Sequence, residues 1–471
     1  MSIPKSWFVG LVSCVISFTG SVDTFGQTPP QYIADSLQSI LNHALPTNFA
    51  APGVIVRVEV PGQWTWEGAA GNGISGTTAG QTQTVAASAD RFRTGSVTKM
   101  MIATCILKLE QDGLLSIEDP IANYLRPTLV TDTINSSGTV LIRHLLNHTS
   151  GIANSAANNT CQLDVLTNPL NNRTLEEAIY CGASQGELFP PGTSWTYSNT
   201  NYSLLAMIIN NVSGMDYKQY LQQTIITPLN LSQTEIPSTT DIAGPHMGCY
   251  WNIPGMGWVD LTIVNATTYA GWADVVTATA DLITFYTALR SGQLISSSEW
   301  AKMQTIDPAA NAYGLGFDFY TFYGSAYNGH YGEVANTSGL FFGDIQSVIA
   351  PNGYFISYNF NTQGADMQNK IDKPVMNLLK NGTNGLNENP TAIPVTVFPN
   401  PSDGMTTITL PSSYAGIEIN LLDLQGKKIR SFKSTGSAVQ IDTKEIPNGT
   451  YVLKIHASSF DLQEKLFILH P

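Results

Sequence analysis

Ser96-Val97-Thr98-Lys99-Met100-Met101-Ile102-Ala103-Thr104-Cys105-Ile106-Leu107-Lys108-Leu109-Glu110 reads as one buried helix with chemistry on its first turn. Met100, Ala103, Ile106 and Leu107 make a nearly continuous apolar face, and Asp112-Gly113 supplies the stop. Ser96 and Lys99 stand at i and i+3, so hydroxyl and amine share one face. A serine hydroxyl is a weak nucleophile until a neighbouring base takes its proton. Lysine can be that base once burial or nearby positive charge brings its pKa down from about 10.4. The helix N-terminus also stabilises developing negative charge. The four-residue pattern decides nothing alone, because Ser2-Ile3-Pro4-Lys5 matches it as well.

Two further patterns follow it along the chain. Tyr197-Ser198-Asn199 comes after the turn Pro190-Pro191-Gly192-Thr193 and before a helix expected from about 201 to 212, ending at Gly214. That places it on a loop whose side chains can face a cleft. A tyrosinate at 197 is expected to act as general base and later as acid, with Asn199 orienting the substrate amide. His330-Tyr331-Gly332 precedes two β-rich segments, 339–349 and 354–360, and is expected on the edge strand of an antiparallel sheet. Gly332 lets substrate backbone approach, and the N–H of Glu333 is expected to pair with that of Ser96 as an oxyanion hole. Tyr250-Trp251-Asn252 and His246-Met247-Gly248 repeat the two spacings without the flanking turn, helix or strand. Only Ser96, Tyr197 and His330 occur in the right order with the right local context.

Outward from these motifs, residues 30–382 alternate helical and strand-like segments and form the expected main domain. A stretch rich in Asn, Gly, Thr and Pro marks a linker over 383–394. Beyond it, in 395–471, Ile417-Glu418-Ile419-Asn420-Leu421 and Tyr451-Val452-Leu453-Lys454-Ile455 show period-2 alternation, which predicts a small all-β sandwich. At the other end, Lys5, an apolar run from Trp7 to Phe18 and a small or polar stretch to Gln27 read as a signal peptide over 1–26. Leu11-Val12-Ser13-Cys14 resembles a lipobox, but the apolar run continues past Cys14. No later stretch reaches about 18 apolar residues, so no transmembrane segment is expected.

The chain of 471 residues is 43% hydrophobic and 12% charged, enough for a sizeable core. Its formal net charge of -13 argues against a nucleic-acid partner, since phosphates need a basic patch. The acidity belongs to the main domain, because acidic and basic residues balance after 397. Cys105, Cys161, Cys181 and Cys249 remain after signal removal. A Cys161–Cys181 bridge, the nearest pair in sequence, and four buried free thiols both stay open. His144 and His148, at i and i+4, lack a third metal ligand and are read as helix packing and capping. No metal or cofactor is expected.

With Ile142-Arg143-His144-Leu145-Leu146-Asn147-His148-Thr149-Ser150-Gly151, Pro191-Gly192-Thr193-Ser194-Trp195-Thr196-Tyr197-Ser198-Asn199 and Gly271-Trp272-Ala273-Asp274, the three motifs closely resemble the class C β-lactamases and their relatives. Those relatives include D-alanyl-D-alanine carboxypeptidases, D-amino-acid peptidases and esterases. The resemblance implies an α/β domain whose antiparallel sheet is flanked by helices and joined to a helical lobe, with the cleft between. It also implies Ser96, Lys99 and Tyr197 as catalytic residues, with Asn199, His330 and Gly332 binding substrate; Glu333 joins the substrate-binding set through its expected oxyanion N–H. His330 stands where true β-lactamases usually have lysine, and resembles the carboxypeptidase and esterase branches. A histidine there is expected to titrate near neutrality.

Val397-Phe398-Pro399-Asn400-Pro401, Leu422-Asp423-Leu424-Gln425-Gly426 and Gly449-Thr450-Tyr451-Val452-Leu453-Lys454-Ile455 are similar to the C-terminal sorting domain of the type IX secretion system. That resemblance implies the secretion machinery as a partner and a secreted or cell-surface location reached through the periplasm. The expected function is an exported serine hydrolase that forms a Ser96 acyl-enzyme with an external D-peptide, ester or β-lactam. The alternative is a penicillin-binding or sensor-like protein that acylates without efficient turnover.

Overall fold

The computed structural model describes residues 27–45, 53–74, 84–125, 134, 138–253, 255, 257–381, 396–400, 402–409, 418–423, 426–434, 436, 438–457, 460–468 and 470. The expected signal peptide and the expected linker lie outside them.

Six strands form the central sheet: β1 (Gly53–Val60), β2 (Trp64–Gly71), β3 (Asp318–Phe322), β4 (Ser325–Glu333), β5 (Thr337–Asp344) and β6 (Tyr354–Phe360). Their order is β2-β1-β6-β5-β4-β3, and every neighbouring pair is antiparallel. Alternation along the strands separates two cores. Val54, Val56 and Val58 of β1 and Phe341 of β5 pack with Ile33, Leu37 and Leu41 of helix α1 (Gln31–Ala44). Ile55, Leu340 and Phe342 point the other way, into a larger core shared with the helical region.

That larger core is built around α2 (Thr98–Gln111), which is buried from Thr98 through Leu107. A helix apolar on nearly all sides needs partners all round. One of them is α3 (Asn199–Ser213), buried from Asn199 through Ile209. Gly113 takes φ +72° and Gly214 φ +71°, the left-handed conformation in which glycine ends a helix without strain. Among the described residues, no helix is long and apolar enough to cross a membrane.

The C-terminal region is all β, with a three-stranded sheet (Thr396–Phe398, Met405–Thr409, Ala438–Asp442) and a four-stranded one. Ile408 and Ile441 of the first meet Ile419, Leu421, Leu453 and Ile455 of the second in one core. The predicted alternation holds at Glu418–Leu422, where Ile419 and Leu421 are buried while Glu418 is exposed.

Candidate active site

Ser96 sits in the 3-10 turn Gly95–Val97 that leads into α2, and Lys99 falls on the first turn of the helix. Lys99 is fully buried, and its Nζ lies 2.9 Å from Ser96 Oγ, 2.8 Å from Asn199 Oδ1 and 3.1 Å from the Trp272 carbonyl. The last two groups can only accept. A neutral amine has two N–H groups for those carbonyls and one lone pair left for the serine hydroxyl. Burial lowers the Lys99 pKa well below its ordinary value, against the opposing charges of Asp318 and Asp274. Geometry and electrostatics therefore both suit a free amine facing Ser96.

The Tyr197 ring centre lies 4.9 Å from Lys99 Nζ, and Tyr197 lines the cleft together with Ser96. Burial raises its pKa well above the usual tyrosine value, outweighing the opposing influence of the Ser96 hydroxyl. This corrects the expectation of a tyrosinate: the buried ring carries a neutral phenol at rest. The helix after Tyr197 begins at Asn199 rather than near 201. Asn199 is thus fixed on a first helical turn, with its backbone N–H donating to Asn154 Oδ1 and its own Oδ1 holding Lys99.

The reading of His144 and His148 as packing and capping residues covers only part of what they do. His144 Nδ1 accepts the Leu141 N–H at the start of its short helix, which is capping. His148 is fully buried at φ +63° and lies 4.2 Å from the Tyr197 ring, between centroids. Its Nδ1 accepts the N–H of Ser198, the residue after Tyr197. A left-handed non-glycine residue is a strained choice that surrounding structure must hold. Here it holds a ring against Tyr197.

β4 carries His330, Gly332 and Glu333, and is not the edge strand. β3 takes the edge, pairing from Phe322↔Ser325 to Asp318↔Gly329. That hairpin register stops short of His330, so residues 330–333 continue past the end of β3, and there the Ser96 turn approaches. A Cβ added at Gly95, which has φ +56°, would stand 2.5 Å from Glu333 N. One added at Gly332 would stand 2.0 Å from Thr94 O and 3.0 Å from Ser96 N. Two glycines without side chains thus bring the Ser96 and Glu333 amides side by side.

His330 is only 2% exposed; its Nδ1 faces the Tyr331 carbonyl and its Nε2 lies 2.8 Å from Tyr313 Oη. With Nδ1 as donor to that carbonyl, Nε2 accepts from the phenol. Burial, helped by Lys99, pushes its pKa down to about 3. The expectation of titration near neutrality is corrected: this histidine is neutral, with both nitrogens occupied inside the protein.

A cleft of about 1170 Å³ opens over these groups, reached by Ser96, Tyr197, Asn199, His330, Gly332 and Glu333. Lys99 lies beneath it. Trp251, Leu261, Tyr269 and Trp272 give one wall its apolar surface, and helices Asn159–Thr167 and Leu175–Ala183 contribute another. Cys161 and Cys181 form a disulfide between those two helices, resolving the alternatives left open by the sequence; Cys105 and Cys249 are buried free thiols. Sequence reading missed Asp318, Tyr313 and the Trp272 carbonyl, all of which surround Lys99 or His330. No motif spacing links them: Trp272 is distant along the chain from Lys99, and Tyr313 and Asp318 reach His330 only because β3 folds back on β4.

Comparison with known proteins adds to this geometry. The Beta-lactamase family model matches residues 43–379, and the model for a secretion system C-terminal sorting domain matches 396–469. The chain is 31% identical over 226 residues to the putative penicillin-binding protein PbpX of Bacillus subtilis (strain 168), covering 48% of this chain and 53% of that protein. It is 29% identical over 218 residues to penicillin-binding protein 4* of the same strain, covering 44% and 46%. The chain therefore spans about half the length of the curated relatives it matches. Among solved structures it is similar to the D-stereospecific amidohydrolase from Streptomyces sp., with TM-score 0.64, 26% identity, and coverage of 74% and 99%. The D-amino acid amidase from Ochrobactrum anthropi SV3 shares the fold at TM-score 0.61 and 22% identity, with the same coverage.

Proposed function

Because the chain belongs to the β-lactamase family and carries a type IX sorting domain at its C-terminus, we propose that it is an exported serine hydrolase cleaving an amide or ester through a Ser96 acyl-enzyme. The observation that carries this reading is the Lys99 amine, buried and 2.9 Å from Ser96 Oγ with only carbonyl acceptors on its other sides.

Ser96 gives its proton to Lys99 as it attacks the carbonyl carbon. The resulting oxyanion is stabilised by the N–H groups of Ser96 and Glu333. As the tetrahedral intermediate collapses, the Tyr197 phenol protonates the leaving amine or alcohol and recovers a proton from the Lys99 ammonium. Water then attacks the acyl-enzyme, losing a proton to the same base and releasing the acid and Ser96. Asn199 positions Lys99 through Oδ1 and offers its amide nitrogen to substrate. His330 shapes the strand end beside substrate as a neutral, fixed ring.

Residues 30–382 constitute the hydrolase domain in this reading, and 395–471 the sorting domain that directs the protein to the type IX machinery. The signal peptide 1–26 and linker 383–394 complete the organisation, and the product is secreted or displayed at the cell surface. There it does not meet its own cell's peptidoglycan, so external D-peptides, esters or β-lactams are the candidate substrates. The Streptomyces amidohydrolase supports an amide-cleaving member of that set.

The penicillin-binding names of the curated relatives favour one second reading, acylation without efficient release. One experiment separates the two. Purified protein is offered a chromogenic cephalosporin, short-chain esters and D-alanyl peptides, alongside a fluorescent penicillin. Turnover that disappears in Ser96→Ala supports the hydrolase. Durable labelling without turnover supports the binding protein, and turnover that survives Ser96→Ala overturns the assignment of nucleophile.

A further inference from the structure

The cleft poses an electrostatic question that its catalytic groups do not answer: which charge on a substrate would it accept? Asp318 lines the cleft at the end of β3, paired in register with Gly329 and so adjacent to His330. Tyr320, two residues on along the same strand, lines the cleft beside it, and its hydroxyl favours the ionised carboxyl. Among the described residues, the cations nearest the cleft are already engaged elsewhere. Lys99 is fully buried and engaged by Ser96, Asn199 and Trp272. Arg173, on the cleft wall, places Nε and Nη2 3.2 and 2.6 Å from Asp164 Oδ2. His330, where a positive side chain would attract a substrate carboxylate, has both nitrogens satisfied inside the protein.

We infer that Asp318 is a specificity-determining residue that makes the cleft favour substrates bearing a cationic group, such as an ammonium, and disfavour those bearing a carboxylate. The inference rests on the acyl-enzyme reading of the same cleft and narrows its substrate class. A carboxylate brought beside Asp318 meets like charge in a partly desolvated site, where charges interact more strongly than in water. An ammonium meets a carboxylate acceptor with the Tyr320 ring beside it. Burial raises the Asp318 carboxyl to about 7, so the group is poised to ionise more fully when a cation arrives. The apolar wall of Trp251, Leu261 and Trp272 suits a hydrophobic body attached to that cation.

The test is a pair of matched charge series given to the full chain. On the acyl side, phenylalanine p-nitroanilide in each enantiomer is compared as the free amine, the N-acetyl and the N-succinyl derivative. On the leaving side, butyryl thioesters of thiocholine, mercaptoethanol and mercaptopropionate are compared by thiol release. In at least one series kcat/KM is expected to fall about tenfold from cation to neutral and further to anion, a modest part of what two close charges can contribute. Raising the salt should compress that ratio. Asp318→Asn should collapse it to within about threefold, and Asp318→Glu should restore it, which loss of structure alone would not do. Two series that are flat in the wild type, or a charge ratio unchanged in Asp318→Asn, would overturn the inference and leave the Ser96 acyl-enzyme standing. No Ser96-dependent turnover of any member would overturn both.

Discussion

Lys99 Nζ and Ser96 Oγ lie 2.9 Å apart, and the other polar contacts of that amine are two carbonyl oxygens. A lone pair therefore has only the serine hydroxyl to meet. We expect Lys99→Met, which keeps an apolar stem in the same space, to lower kcat/KM by about 10²–10⁴-fold, the usual contribution of a positioned base. Because burial lowers the lysine pKa, activity should rise with pH through a value well below that of ordinary lysine. A pH–rate profile with its acidic limb near the unperturbed lysine value would contradict this picture.

Gly332 has no room for a methyl group, since a Cβ would stand 2.0 Å from Thr94 O and 3.0 Å from Ser96 N. Gly332→Ala must push β4 and the Ser96 turn apart. If the two amides form the oxyanion hole, the substitution should reduce kcat by about 10²–10³-fold, the loss expected for one oxyanion donor. Steady-state kinetics with KM resolved checks it. An unchanged kcat would remove Glu333 N from the mechanism.

His148 supports Tyr197 from behind, with ring centroids 4.2 Å apart and Nδ1 accepting the Ser198 N–H. Asparagine tolerates the left-handed backbone found here, so His148→Asn removes the ring without adding much backbone strain. We expect kcat to drop about tenfold with KM little changed, as for loss of positioning that matters most in the transition state. A change confined to KM would show that the histidine acts on substrate binding.

His330 should reveal its burial through stability. Its pKa is pushed to about 3 in the folded protein, against 6.5 ordinarily. Below pH 6.5 the unfolded chain therefore binds a proton that the folded site refuses, and stability falls as pH drops toward 3. His330→Gln lacks this term. The stability advantage of wild type over the variant should shrink by about 2 kcal/mol between pH 7.5 and 5. Parallel denaturant titrations at the two pH values measure it, and a constant difference would mean the imidazole charges in place.

The Cys161–Cys181 bridge closes a loop with a sequence separation of 20 on the cleft wall. Replacing both cysteines by alanine should destabilise that wall by about 3 kcal/mol on the loop-entropy estimate. Thermal melts of oxidised, reduced and doubly substituted protein check this, with the two bridge-free forms expected to melt together below the oxidised one.

Much of the fold was legible because its signals are local. The apolar face of 96–110, the glycine stops and the period-2 strands of the tail each record a neighbour relationship within a few residues. The motif order Ser96, Tyr197, His330 then pointed to a site, even though each spacing also occurred elsewhere by chance. Edge position was misread because it depends on a partner strand: Asp318–Phe322 covers only the first part of β4, which no property of 325–333 reveals.

The sequence by itself determined which side chains the chemistry has at hand, a serine and a lysine one helical turn apart with a tyrosine and a histidine to follow. It could not determine their protonation states. Those depend on desolvation and on partners drawn from distant segments: the Trp272 carbonyl and Asn199 around Lys99, and Tyr313 beside His330. Burial turned an expected tyrosinate into a phenol and an expected titrating histidine into a neutral ring, because removing water penalises the charged form of each group. Tertiary structure alone brought those partners together and buried Lys99 and His330 at the cleft.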